Sequence, residues 1–123
     1  MPAFLMISDL VISCSTKPEA FGRTILEAQA MGKPVVAFNH GGSVELVKNN
    51  QNGILTEIGN LKNFADNIKT SLELSLTERK QISKISIDNV NKKYLTKFMC
   101  DKTIELYKIL IKNFNKSEKN FNN

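Results

Sequence analysis

The sequence has few of the residues that build metal centres. Its 123 residues include one histidine, His40, and two cysteines, Cys14 and Cys100, far apart and outside metal-ligand spacing. This points to a reducing cytoplasm and no structural metal, with both thiols expected to be buried and inert. No apolar run approaches the roughly 20 residues that span a bilayer. The N-terminus, MPAFLMISDLVISC, is apolar but lacks a basic leading region and is interrupted by Asp9, so a secretory signal is not expected. No internal repeat is found. Aromatic residues do not interleave with the lysines, and no helix-turn-helix or finger pattern occurs, so nucleic acid is not an expected partner.

Acidic charge is the scarcer sign. Lys and Arg number 17 against 12 Asp and Glu, a formal net charge of +5. Much of the excess lies in the last third, at Lys92, Lys93, Lys97, Lys102, Lys108, Lys112, Lys116 and Lys119. Lysines spread along helices form a solvated face, and the same charge attracts anionic membrane surfaces or phosphate-bearing substrates. The expected location is the cytoplasm, with peripheral contact to the cytoplasmic face of the inner membrane compatible with this charge. An apolar fraction of 41% and a charged fraction of 24% are ordinary for one soluble globular domain.

What is present reads as alternating strand and helix. Residues 1–8 fit a short helix or turn. Residues 9–13, DLVIS, form an apolar, β-branched run expected of a strand covered on both faces. A turn follows, and Pro18 disfavours helical geometry at Lys17. A helix is expected from Gly22 or Arg23 to Met31, ended by Gly32. Val35 to Phe38 is a second buried strand, Asn39 to Gly42 a turn, and 43–49 a short helix capped by Ser43. Asn52-Gly53 is a turn signal before a third strand, Ile54 to Thr56. The alternation predicts βαβ units and a parallel sheet.

From Gly59 onward the pattern is helical only. Leu61, Phe64, Ala65, Ile68 and Leu72 share one face. Thr77, with Glu78 behind it, opens a second helix with apolar positions Ile82, Ile85, Val90 and Tyr94. A last helix, 96–114, places Met99, Thr103, Leu106, Tyr107, Leu110 and Phe114 on a stripe expected to pack into the core. One domain over 1–114 and a frayed polar tail over 115–123 are expected. The fold class is α/β: a partial Rossmann-like parallel sheet of about three strands with flanking helices and a helical C-terminus.

The chemistry concentrates in residues 18–42. In an open parallel sheet, ligands bind beyond the C-terminal ends of the strands. Here the first strand runs into STKPEAFG and the second into NHGGS. Both loops lead into helix N-termini, where unpaired amides and the helix dipole favour a phosphate. Glu19 and Glu27 bracket the first of these, with seven residues between them. Glu27 lies about 6 to 8 Å along the helix from its start, at 1.5 Å per residue. Carboxylates accept paired hydroxyls, so a nucleotide-sugar fits with its sugar at Glu19, its diphosphate on the amides and its ribose at Glu27. Gly22 leaves room for close approach. From spacing alone, one exposed glutamate and one on a helix face remains the plainer reading.

The stretch PEAFGRTILEAQAMGKPVVAFNHGGSVELV, followed by NGIL, resembles the nucleotide-sugar-binding segment of the family-4 retaining glycosyltransferases, which have the GT-B fold of two Rossmann-like domains. The matching pieces are Glu19, Phe21-Gly22, Glu27, Ala28, Ala30, Gly32, Pro34 to Val36, Gly41-Gly42, Glu45 and Asn52-Gly53. The wording is most similar to bacterial enzymes of lipopolysaccharide and other envelope-glycan assembly. The resemblance implies a C-terminal, donor-binding half-domain. It implies that Glu19 contacts the donor sugar and stabilises the oxocarbenium-like transition state. Residues Ala20, Phe21, Gly22, Arg23 and Thr24 would hold the diphosphate, and Glu27 the ribose. Gly41, Gly42 and Glu45 would shape or cap the next loop and helix. No metal or other cofactor is implied beyond the nucleotide-diphosphate-sugar substrate, and the acceptor would be a glycan or lipid-linked glycan.

The same resemblance leaves the acceptor domain and the family's basic pair for the leaving diphosphate unmatched. The chain is therefore expected to be the C-terminal piece of a longer enzyme, working with a separately encoded N-terminal half. The alternatives are a non-catalytic remnant or nucleotide-sugar-binding module, and, less well matched, a sugar-nucleotide epimerase.

Overall fold

The computed structural model describes residues 2–121. Helix α1 (Pro2–Ile7) leads into strand β1 (Val11–Ser13), followed by α2 (Arg23–Ala30), β2 (Val35–Phe38), α3 (Ser43–Leu46) and β3 (Ile54–Thr56). Three helices complete the chain: α4 (Leu61–Leu72), α5 (Leu76–Lys93) and α6 (Thr96–Phe121). The three strands form one parallel sheet in the order β1-β2-β3, as the alternating pattern predicts. Val11 pairs with Val35, and Val36 with Ile54. No helix among the described residues is long and apolar enough to cross a membrane. The chain divides into two compact units, 1–90 and 91–123.

The first unit is centred on β2, whose four residues are all buried. Val36, Phe38 and Phe64 form a cluster joined by Leu10, Ile54 and Ile68. The Phe38 and Phe64 rings stack with centroids 4.5 Å apart. Strand β1 departs from expectation. Val11 is buried but Ile12 is 44% exposed. Alternate residues of a strand point to opposite faces, so the face carrying Ile12 is left uncovered and the apolar run does not mean burial on both sides.

Helix α2 ends as its sequence predicts. Gly32 takes a φ of 68°. Its N–H donates to Gln29 O (3.0 Å) and that of Lys33 to Ala28 O (2.9 Å), a Schellman closure. Helix α3 is shorter than the predicted 43–49. Residue Val47 is already extended, because neighbouring side chains take over the backbone. Asn52 accepts from Lys48 N–H (2.7 Å) and donates to Leu46 O (3.1 Å), which also accepts from Gln29 Nε2 (2.9 Å). Both amide side chains are fully buried. Asn52-Gly53 is thus an anchor as much as a turn, and a Cβ on Gly53 would meet Val35 O at 2.6 Å.

The C-terminal helices differ more from their apolar patterns. On α4, Phe64 is buried and Ile68 half-buried, but Leu61 and Leu72 are 70% and 51% exposed. A sheet of short strands covers only the middle of a 12-residue helix. Helix α5 opens one residue earlier than Thr77 suggests, at Leu76. Ser75 and Glu78 form a reciprocal capping box: Glu78 Oε2 accepts from Ser75 N–H at 2.8 Å, and Glu78 N–H donates to Ser75 Oγ at 3.3 Å. The expected core stripe of α6 is exposed along Met99, Leu106, Tyr107, Leu110 and Phe114, because no second layer packs on it within its own unit. The helical backbone also continues beyond Phe114 to Phe121, through Lys and Glu residues of good helix propensity. The last two residues of the expected tail lie outside the described residues. Both cysteines are free and exposed, contrary to their expected burial, because Cys14 follows the edge strand and Cys100 lies on this helix.

Candidate functional site

The C-terminal ends of β1 and β2 open into two loops, 14–22 and 39–42, and these loops lock together. Gly42 N–H donates to Glu19 O at 2.8 Å. A Cβ on Gly41 would lie 2.6 Å from Glu19 O, and one on Gly42 would lie 2.5 Å from the Phe21 carbonyl carbon. Gly41 also has a φ of 55°, a region that L side chains rarely adopt. Two successive residues without side chains are therefore needed for the 39–42 turn to seat against the backbone of Glu19 to Phe21.

This seating fixes the entry to α2. Gly22 is its N-cap, with φ 74° and ψ 51°, and no side chain caps the helix. The first amides of a helix have no intrahelical acceptor and carry its positive end. The Glu19 carboxylate stands beside them, with Oε2 3.9 Å from where a Gly22 Cβ would be. Phe21 is partly exposed, Arg23 and Ala20 are exposed, and Thr24 is half-buried. The sequence-predicted binding residues from Glu19 to Thr24 thus lie around an uncapped helix start, all but Gly22 at least partly exposed.

Glu27 lies one turn further on. It pairs with Arg23 at 3.8 Å, and the two side chains are 41% and 85% exposed. Such an exposed i,i+4 pair contributes about 0.3 to 0.5 kcal/mol, so Glu27 is only loosely held by Arg23. Glu45 is exposed and makes no side-chain hydrogen bond or ion pair among the described residues. The predicted cap at Ser43 is also absent: Gly42 is the N-cap of α3. Instead the Ser43 hydroxyl lies against the carbonyls of Phe38 and His40 and accepts from His40 N–H at 3.4 Å.

His40 is the site residue that the sequence concealed. Its Nε2 lies 2.6 Å from Ser15 O. A carbonyl only accepts, so Nε2 carries the hydrogen. The ring therefore ties the loop after β2 to the loop after β1. Nδ1 is buried without a partner among the described residues. Ser13, Ser15, Glu19, His40 and Ser43 line a void of about 10 Å³ beneath the surface, room for about one water. The only sequence signal was position, since a lone histidine two residues after a strand carries no motif. No group of three or more His, Cys, Asp and Glu among the described residues is arranged to hold a metal ion.

This geometry coincides with a known family. The family described as glycosyl transferases group 1 matches residues 1–88. The chain belongs to it. Sucrose synthase from Nitrosomonas europaea is 34% identical over 94 residues, which cover 74% of this chain and 12% of that enzyme. A solved glycosyltransferase from Rickettsia africae is 40% identical with a TM-score of 0.84, covering 89% of this chain and 29% of its own. Anabaena HepE, solved in complex with UDP-glucose, is 33% identical with a TM-score of 0.77, covering 85% of this chain and 29% of HepE. The fold is that of the C-terminal part of the GT-B glycosyltransferases, as the residue pattern implies. This group 1 glycosyl transferase chain spans under a third of each of these relatives.

Proposed function

We propose that this chain supplies the donor side of a retaining glycosyltransferase. It takes a nucleotide-diphosphate-sugar and serves transfer to an envelope glycan or lipid-linked acceptor. The observation that carries this is the seating of Gly41-Gly42 against Glu19 to Phe21, which holds a carboxylate beside an uncapped helix N-terminus. The named ligand of Anabaena HepE, UDP-glucose, fits the same chemistry.

Each residue then has a distinct task. The amides from Phe21 to Thr24 hold the diphosphate and stabilise charge as it leaves. Glu19 accepts hydrogen bonds from the sugar hydroxyls and faces the positive charge that develops at the sugar. Glu27 exchanges its Arg23 partner for the ribose hydroxyls. Transfer itself also needs an oriented acceptor, and orientation supplies roughly 7 to 11 kcal/mol of barrier reduction. That part of the proposal rests on acceptor-binding residues supplied in addition to these.

Calorimetric titration separates the roles. UDP-glucose, UDP-N-acetylglucosamine and GDP-mannose are titrated alongside the free nucleotides. Glu19→Gln is expected to weaken the sugar-bearing donor roughly tenfold while leaving the free nucleotide within about twofold, and Glu27→Gln to weaken both roughly tenfold. A folded chain that binds none of these ligands would overturn the reading.

A further inference from the structure

A second charged cleft opens at the other end of the sheet. It has a volume of about 450 Å³ and is bounded by Asp9 and Pro34, which precede β1 and β2, and by the first half of α5. The donor loops follow those same strands, so the two sites face opposite strand ends. Four cations line the cleft, Lys33, Arg79, Lys80 and Lys84, against one carboxylate, Asp9. None of the four makes an ion pair among the described residues.

Two of these cations are held in place by neutral groups. The Arg79 guanidinium donates to the carbonyls of Asp9 (2.9 Å), Leu72 (2.9 Å), Leu74 (3.2 Å) and Ser71 (3.4 Å). Four of its five N–H groups are thereby used, and no carboxylate pairs with it among the described residues. Lys33 Nζ donates to Met6 O at 2.8 Å and keeps two hydrogens. Lys80 and Lys84 lie one turn apart on α5, where like charges repel. Gly32 forms part of the lining: a Cβ there would run into Ser83, so its absence lets α5 approach the end of α2.

Two anchored cations and two further lysines, none ion-paired among the described residues, surround a polar cleft and match a compact polyanion. We propose that this cleft binds a phosphate group, whether on a lipid headgroup or on a soluble metabolite, independently of the donor site. Arg79 and Lys33 preset the charge, and Lys80 and Lys84 close on the phosphate oxygens as mobile ammonium donors.

The test titrates inorganic phosphate into the isotope-labelled full chain and follows the amide resonances. Saturable shifts at residues 32–33 and 79–84 are expected. Shifts confined to 22–24, or none, would overturn the proposal. In parallel, the chain is sedimented with vesicles of phosphatidylcholine alone and of phosphatidylcholine with phosphatidylglycerol. Binding to the anionic vesicles assigns the phosphate to a lipid, and binding of phosphate without vesicles assigns it to a soluble ligand; both support the cleft. The double variant Lys80→Gln/Lys84→Gln should weaken binding about tenfold or more. Lys108→Gln/Lys112→Gln, an equal charge change on α6, should leave it within about twofold. Equal losses in the two variants would reduce the effect to net charge and refute a specific site.

Discussion

Single atoms decide the geometry at the donor loops. The Gly42 backbone is αR, with φ −61° and ψ −19°, so any residue could adopt it. Space is what forbids a side chain, since the new Cβ would meet the Phe21 carbonyl oxygen at 2.6 Å. Gly42→Ala should therefore lower stability by about 1 to 3 kcal/mol, the usual range for overpacking. It should also shift the amide resonances of Glu19 to Phe21. Urea unfolding with the amide spectrum measures both, and an unchanged midpoint with an unchanged spectrum would show that the loops are not locked. Glycines at 41 and 42 were visible in the sequence, but their contact with Glu19 and Phe21 was not. Two stretches some 20 residues apart meet only because parallel strands place their following loops side by side. The same holds for His40, whose partner is a backbone carbonyl at Ser15. Carbonyls are at every position, so no pattern of side chains announces such a bond.

At the level of elements, strands and helix ends were legible where one residue type has one physical use. Gly32 closing α2 and the four apolar residues of β2 are the clear cases. Apolar spacing alone was less reliable. It marked the faces of α4 and α6 but not what covers them, because burial belongs to the partner and not to the helix. Polar residues gave no sign of their burial: Gln29, Asn52 and Ser86 are fully buried. The start of α5 shows a finer case. Ser75 holds the carboxylate of Glu78 through its hydroxyl (2.6 Å) and its amide (2.8 Å), and these bonds lower the Glu78 pKa. A carboxylate with a lowered folded-state pKa adds stability above its unfolded pKa and loses it as pH falls through the folded value. Glu78→Gln should thus reduce the melting temperature at neutral pH, and the difference from the parent should shrink towards pH 3. Ser75→Ala should cost about 1 kcal/mol at neutral pH. Thermal scans across this range check the trend, and a gap that widens in acid would contradict the assigned cap.

For the molecule as a whole, stability is unevenly distributed. Strand β2 is completely buried and paired on both sides, whereas the side chains of α6 from Thr96 to Phe114 are all exposed. Amides open according to the contacts that hold them. Hydrogen exchange should therefore leave Val36 to Phe38 as the last protected amides, with those of α6 exchanging far sooner. Equal protection would mean that α6 is held by contacts its exposure does not indicate. Timing is a further consequence, and it follows from Arg79. Its guanidinium fastens the carbonyl of Asp9, 70 positions earlier, just ahead of the first strand. At about 5 to 20 residues per second, the ribosome makes that stretch in roughly 4 to 14 s. Until Arg79 has been made and has emerged, the Asp9 carbonyl lacks this clasp.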